Sequence, residues 1–118
     1  MVKLKHKEIA MQDLIGQINE LNADLSKSIR LLRQTGNEYA KAERDYQIAK
    51  AQMVLQMKDA GATMTEIQLS VKGRVSEKLF ARDVAKVLYE ANQEHINTVK
   101  LQLRLLDNQI DREWHSNG

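Results

Sequence analysis

The residues able to carry chemistry are few and poorly placed for it. The histidines are His6, His95 and His115, and no two lie four apart on a helix. No Glu-x-x-His occurs, so the helical metal spacings are missing. Glu90 and Glu94 lie one turn apart, as do Asp107 and Asp111. Paired carboxylates can do acid–base work, but these read as solvated helix faces. Ser26, Ser28, Ser70, Ser76 and Ser116 have no nucleophile-elbow context. No glycine-rich phosphate loop is present. Cysteine is absent, which excludes disulfides, thiolate metal sites and thiol nucleophiles. The expectation is a protein without enzymatic activity, catalytic residues, metal or cofactor.

Basic residues form the remaining chemical feature. Lys72, Arg74, Lys78, Arg82 and Lys86 cluster, the last three spaced by four on one helical stripe. Lys27, Arg30, Arg33, Lys41 and Arg44 make a second basic region. Both could contact phosphates. Yet the net charge is only +2 and few aromatics are interleaved for base stacking. Nucleic acid is therefore the second-choice partner.

The elements that position these residues are helices. In 118 residues there is no proline and there are five glycines, and helix formers dominate. Every seventh residue from Leu4 is apolar or aromatic: Leu4, Met11, Ile18, Leu25, Leu32, Tyr39, Tyr46, Met53, Ala60. The companion positions run Leu14, Leu21, Ser28, Thr35, Ala42, Ala49, and together they make a coiled-coil seam. The phase holds across Gly36, which favours one helix over 4–60. The alternative breaks at Gly36-Asn37 and gives a three-helix bundle. Gly61 is placed as a helix stop, and Thr63-Met64-Thr65-Glu66 reads as a capping box. A connector helix follows over 64–71, ended by Gly73. Ser76 is positioned to cap a return helix over 76–114. Its stripe is Ile96, Val99, Leu103, Leu106, Ile110, preceded by a wider face of Leu79, Phe80, Val84, Val87, Leu88 and Ala91, facing both the long helix and the connector. His115 to Gly118 reads as a fraying tail.

The expected fold is all-α: one domain over 1–118, a long antiparallel helical hairpin, coiled-coil-like, with a short connecting helix. A hairpin turning at 60 and 76 sets Tyr46 beside Tyr89 or Glu90, Leu25 near Asp111 and Trp114 near Asn22. Residues 4–21 then overhang, leaving Leu4, Met11, Leu14, Ile15, Ile18 and Leu21 as a wet apolar stripe. That stripe is the expected surface for self-association, a dimer first, or for a partner protein. The start, Met1-Val2-Lys3-Leu4-Lys5-His6-Lys7-Glu8, has no apolar run after its lysines, so no secretory signal is expected. No run of about 18 apolar residues exists to span a membrane. A cytoplasmic location is expected.

Three segments carry a family resemblance: Tyr39-Ala40-Lys41-Ala42-Glu43-Arg44-Asp45-Tyr46, Gly61-Ala62-Thr63, and Ala81 through Ala91 with Lys100-Leu101 and Asp111 to Trp114. Over residues 39–114 the chain resembles small helical proteins of uncharacterised role encoded by bacteriophages and prophages of Gram-positive bacteria. The resemblance implies a phage protein inside the bacterial host, expressed near replication or recombination genes. It supplies no site residues. The functional expectation is a protein–protein interaction module that self-associates and engages a host or phage protein. The alternatives are a nucleic-acid-binding accessory factor and an inhibitor of a host defence system.

Overall fold

A computed structural model describes residues 2–115, with side chains described from Ala10 onward. The protein is all-α, with three helices: α1 (Val2–Asp59), α2 (Met64–Arg74) and α3 (Ser76–His115). No strand occurs among the described residues. α1 passes through Gly36 without a break. The reason is packing. A Cβ at Gly36 would stand 3.3 Å from Cε2 of Tyr89, so this glycine admits an aromatic ring against the helix rather than ending it.

Gly61 is the real stop. It adopts φ +88°, the left-handed region that glycine enters without strain. The Ala62 N–H donates to the Met57 carbonyl and the Gly61 N–H to the Lys58 carbonyl, the two bonds of a Schellman cap. Thr63 then caps α2. Its hydroxyl accepts from the Glu66 N–H, and its own N–H donates to the Glu66 carboxylate. α2 runs on through Gly73 to Arg74, one turn further than expected. Val75, at φ −112° and ψ 26°, is the whole junction to α3. Its carbonyl accepts from the Leu79 N–H and opens α3, so Ser76 lies inside the helix instead of capping it.

Packing divides the chain into two compact units. The first comprises Met1–Leu31 with Asn92–Gly118, the second Leu32–Ala91. In each, α1 and α3 run antiparallel. In the first, Leu14, Ile96 and Val99 are buried, and so are Ser28 and Asn92. The core of the second holds Tyr46, Val75 and a cluster of Met57, Ile67 and Val71 backed by Met53, Val54 and Ala62.

That cluster changes the expected register. Ile67 and Val71 lie on one face of α2, spaced four apart, and they meet Met57 on the last turns of α1. α2 therefore doubles back along α1. Val75, Ser76 and Lys78 consequently line a groove with Ala49, Gln52 and Met53 instead of starting beside Ala60. Tyr89 meets Tyr39, one heptad before Tyr46. In the first unit His95 meets Asp24, and Leu105 and Leu106 lie beside Leu21. The expected overhang is thus corrected over residues 10–21. Leu14 is only 6% exposed within a single chain, while Met11, Ile18 and Leu21 are half-buried. Ile15 stays open at 48%. The side chain of Leu4 and the tail from Ser116 to Gly118 lie outside the described residues.

The glycines give a direct check. Gly16 lies in α1 with open space around its Cα, so Gly16→Ala is expected to stabilise by about 0.5–1 kcal/mol. Gly36→Ala gains the same helix propensity against a tight Tyr89 contact and should gain less. Gly61→Ala forces alanine into the left-handed region and should destabilise by about 1–2 kcal/mol. Urea unfolding of the three variants would show this order, and equal effects at Gly16 and Gly36 would contradict the packing role.

Candidate functional site

The polar side chains that the hairpin brings together form two clasps. The first, in the first unit, is built on Asn92. It sits one turn before Ile96, on the same stripe, and is buried. Its Nδ2 donates to the Ser28 carbonyl of α1 at 3.0 Å. The Ser28 hydroxyl donates to Asp24 at 3.3 Å, and Nε2 of His95 lies 3.1 Å from the same carboxylate. A polar residue in an apolar seam fixes register at some loss of stability. His95 therefore serves a helix–helix contact; it is exposed and paired with Asp24. Among the described residues no group of three or more His, Asp or Glu side chains is arranged to hold a metal ion.

The second clasp, in the second unit, is built on Arg82. Its Nη1 donates to Glu43 at 2.8 Å and its Nε to Asp83 at 2.9 Å. The guanidinium also lies over the ring of Tyr46, 4.9 Å from the centroid, a cation–π arrangement. Tyr46 is buried, so the ring and the ion pair close the seam together. Gln47 donates to the other oxygen of Glu43 at 2.9 Å. This hydrogen bond first, and Arg82 second, hold the Glu43 carboxyl below its usual range. Hydrogen bonds to Glu43 and Asp83 push Arg82 up.

These contacts redistribute the expected basic cluster. Arg82 turns inward to Glu43, Asp83 and Tyr46, so it is a packing residue and no longer a surface cation. Lys86 stands 4.0 Å from Glu90. Lys72, Arg74 and Lys78 are exposed at the α2–α3 junction. Of the apolar stripe expected at 4–21, Leu14 is taken up by the chain's own core and only Ile15 faces outward among those described.

The larger open surface was assigned by sequence to internal packing. Phe80, Val84, Val87 and Leu88 are 70%, 42%, 63% and 53% exposed, and Ala91 is exposed as well. Their spacing puts them on one face of α3. The connector does not cover these five residues; its buried side chains Ile67 and Val71 pack on α1 instead. Leu79, Arg82, Ala85 and Tyr89 are the half-buried residues there. The width of the apolar face was the signal in sequence that α3 has two apolar sides. Among the described residues, no helix is long and apolar enough to cross a membrane.

The Glu43 clasp predicts a pH dependence. A carboxyl whose pKa is lowered on folding stabilises the protein above its ordinary value of 4.5, and that stabilisation is lost as pH falls through the lowered value. Glu43→Gln should therefore lower the urea midpoint at neutral pH, and the difference from the native chain should close as pH drops below 4.5. A difference that stays constant across that window would remove the ion pair as its cause.

Comparison with known proteins gives no relative to set beside this geometry: no family model, no curated protein and no solved structure matches the chain.

Proposed function

We propose that the chain is a non-catalytic helical protein-interaction module that pairs with a second copy of itself through the outer face of α3. The observation that carries this reading is the exposed stripe Phe80, Val84, Val87, Leu88, Ala91. A contiguous apolar face of this kind on a packed helix marks an interaction surface.

A second copy fits the stripe by its own symmetry. In an antiparallel pair with the two-fold axis between Val84 and Val87, each Val84 meets Val87 of the other copy. Phe80 then meets Ala91, large against small. The charges at the stripe's edge are already compensated: Asp83 is held by Arg82, and Glu90 lies near Lys86. The contact spans roughly 17 Å of helix, from the rise of 1.5 Å per residue. It uses far fewer than the roughly 20–30 residues a side of a standard interface, so the association is weak and concentration-dependent. On the resemblance over 39–114, the same proposal has such a module act in the cytoplasm of a bacterial host cell.

Sedimentation velocity over a concentration series tests this. The expected result is a reversible monomer–dimer equilibrium that Val84→Glu with Val87→Glu abolishes, leaving the thermal melt at low concentration almost unchanged. A chain that stays monomeric at every concentration would overturn the reading. So would a dimer that survives the α3 variant and is lost in Ile15→Glu, which would return the contact to the N-terminal stripe.

A further inference from the structure

The first unit carries a different surface. Between α1 and α3 runs an open groove of about 540 Å³, lined by Gln17, Glu20, Leu21 and Asp24 on one side and Gln102, Leu105 and Leu106 on the other. Leu21 and Leu106 are half-buried and form its floor. Leu105 is 56% exposed at its rim. The lining holds two carboxylates and no lysine or arginine. The two carboxylates differ in state. Asp24 is engaged by His95 and Ser28, while Glu20 makes no hydrogen bond or ion pair among the described residues.

From this lining we infer that the groove is a docking site for an amphipathic helix of another protein, with leucine-like residues on one face and lysine or arginine at its edge. Two antiparallel helices leave a furrow along their seam, and a third helix fills such a furrow with residues at i, i+3, i+4 and i+7. The apolar floor takes that face. The charge decides what flanks it. A lysine can lay its aliphatic stem along Leu21 and Leu106 and bring its ammonium to Glu20. A partner with an acidic edge would meet Glu20 and Asp24 with like charge, and so would a phosphate backbone. The amides of Gln17 and Gln102 serve as donor or acceptor to whatever polar groups flank the helix. None of these residues belongs to the α3 stripe, so the two surfaces stand or fall separately.

The probe is a synthetic peptide of roughly 18 residues, about five helical turns, with leucine on one face and lysine elsewhere. Its counterpart carries glutamate in place of lysine. Each is titrated into the full-length nitrogen-15-labelled protein. The lysine peptide is expected to bind and to shift amides within 17–24 and 101–106, and the glutamate peptide to leave them in place. Glu20→Lys with Leu105→Ser should weaken binding by roughly tenfold or more. Both positions are exposed, and Glu20→Gln, a smaller change, should weaken it in the same direction. Val84→Glu with Val87→Glu should leave it intact. Absence of binding would overturn the proposal, as would equal binding of the two peptides, shifts centred on Phe80 to Leu88, or indifference to both Glu20 variants. A dimer of the protein alone that Glu20→Lys dissociates would also overturn it, by showing a second copy in the groove.

Discussion

The doubling back of α2 along the end of α1 decides which residues of α3 can meet α1 in the second unit. It depends on three local events in sequence: the left-handed Gly61, the reciprocal Thr63–Glu66 cap, and the burial of Ile67 and Val71 against Met57. The first two define direction; the third supplies the attraction, about 1.5–3 kcal/mol for each side chain fully removed from water. With only Val75 between α2 and α3, the start of α3 has no slack. Arg82 then falls over Tyr46 and Tyr89 against Gly36. A looser connector would let α3 slide along α1 by a turn, because leucine-like seams alone discriminate weakly between registers.

The polar residues of the seam remove that ambiguity. A buried asparagine whose amide reaches the opposite helix has one satisfactory register, and a shifted one leaves it unpaired at about 1–3 kcal/mol. Asn92 on Ser28 is this arrangement in the first unit. In the second unit Arg82 plays the same part with Glu43, using charge where Asn92 uses an amide. Thr35 is buried too, and its hydroxyl donates to the Leu32 carbonyl of its own helix, so its burial costs little. Small residues at these positions let the helices come close; the polar ones say where they stop.

Much of this was legible in sequence, and the reason is local. Heptad spacing, the glycine stop at 61 and the capping box at Thr63 each involve residues within a few positions of one another, and each recurs in the structure. What sequence reading missed is non-local. The direction in which the connector leaves the first helix depends on how Ile67 and Val71 find Met57, which no period reveals. The error propagated: a hairpin drawn without the doubling back sets α3 too far along α1, exposes Leu14 and hides Phe80, whereas the packed chain does the reverse. The stripe spacing that makes Arg82 a possible phosphate contact likewise says nothing of Glu43 lying opposite. The polar breaks at Ser28 and Asn92 were visible in the apolar series; their pairing was not.

The distribution of apolar residues on α3 carries the last step. In the first unit the helix faces α1 with Ile96 and Val99, the ordinary order, though Leu101 and Leu105 also stand exposed. In the second unit the order is reversed in part. The half-buried positions include Arg82 beside Leu79, Ala85 and Tyr89, and the outer face holds Phe80, Val84, Val87 and Leu88. A helix with a single neighbour would bury this apolar stripe against it and expose the arginine. Here the clasp to Glu43 and Tyr46 holds the rotation of α3 the other way, and the apolar burial left unrealised, about 1.5–3 kcal/mol for each side chain fully buried, exceeds what one partly exposed ion pair returns. The arrangement becomes favourable when the outer face is covered as well, which is the state that pairing through α3 would supply. On that account the Arg82 clasp does more than close the hairpin: by fixing how α3 is turned, it determines that the stripe faces outward.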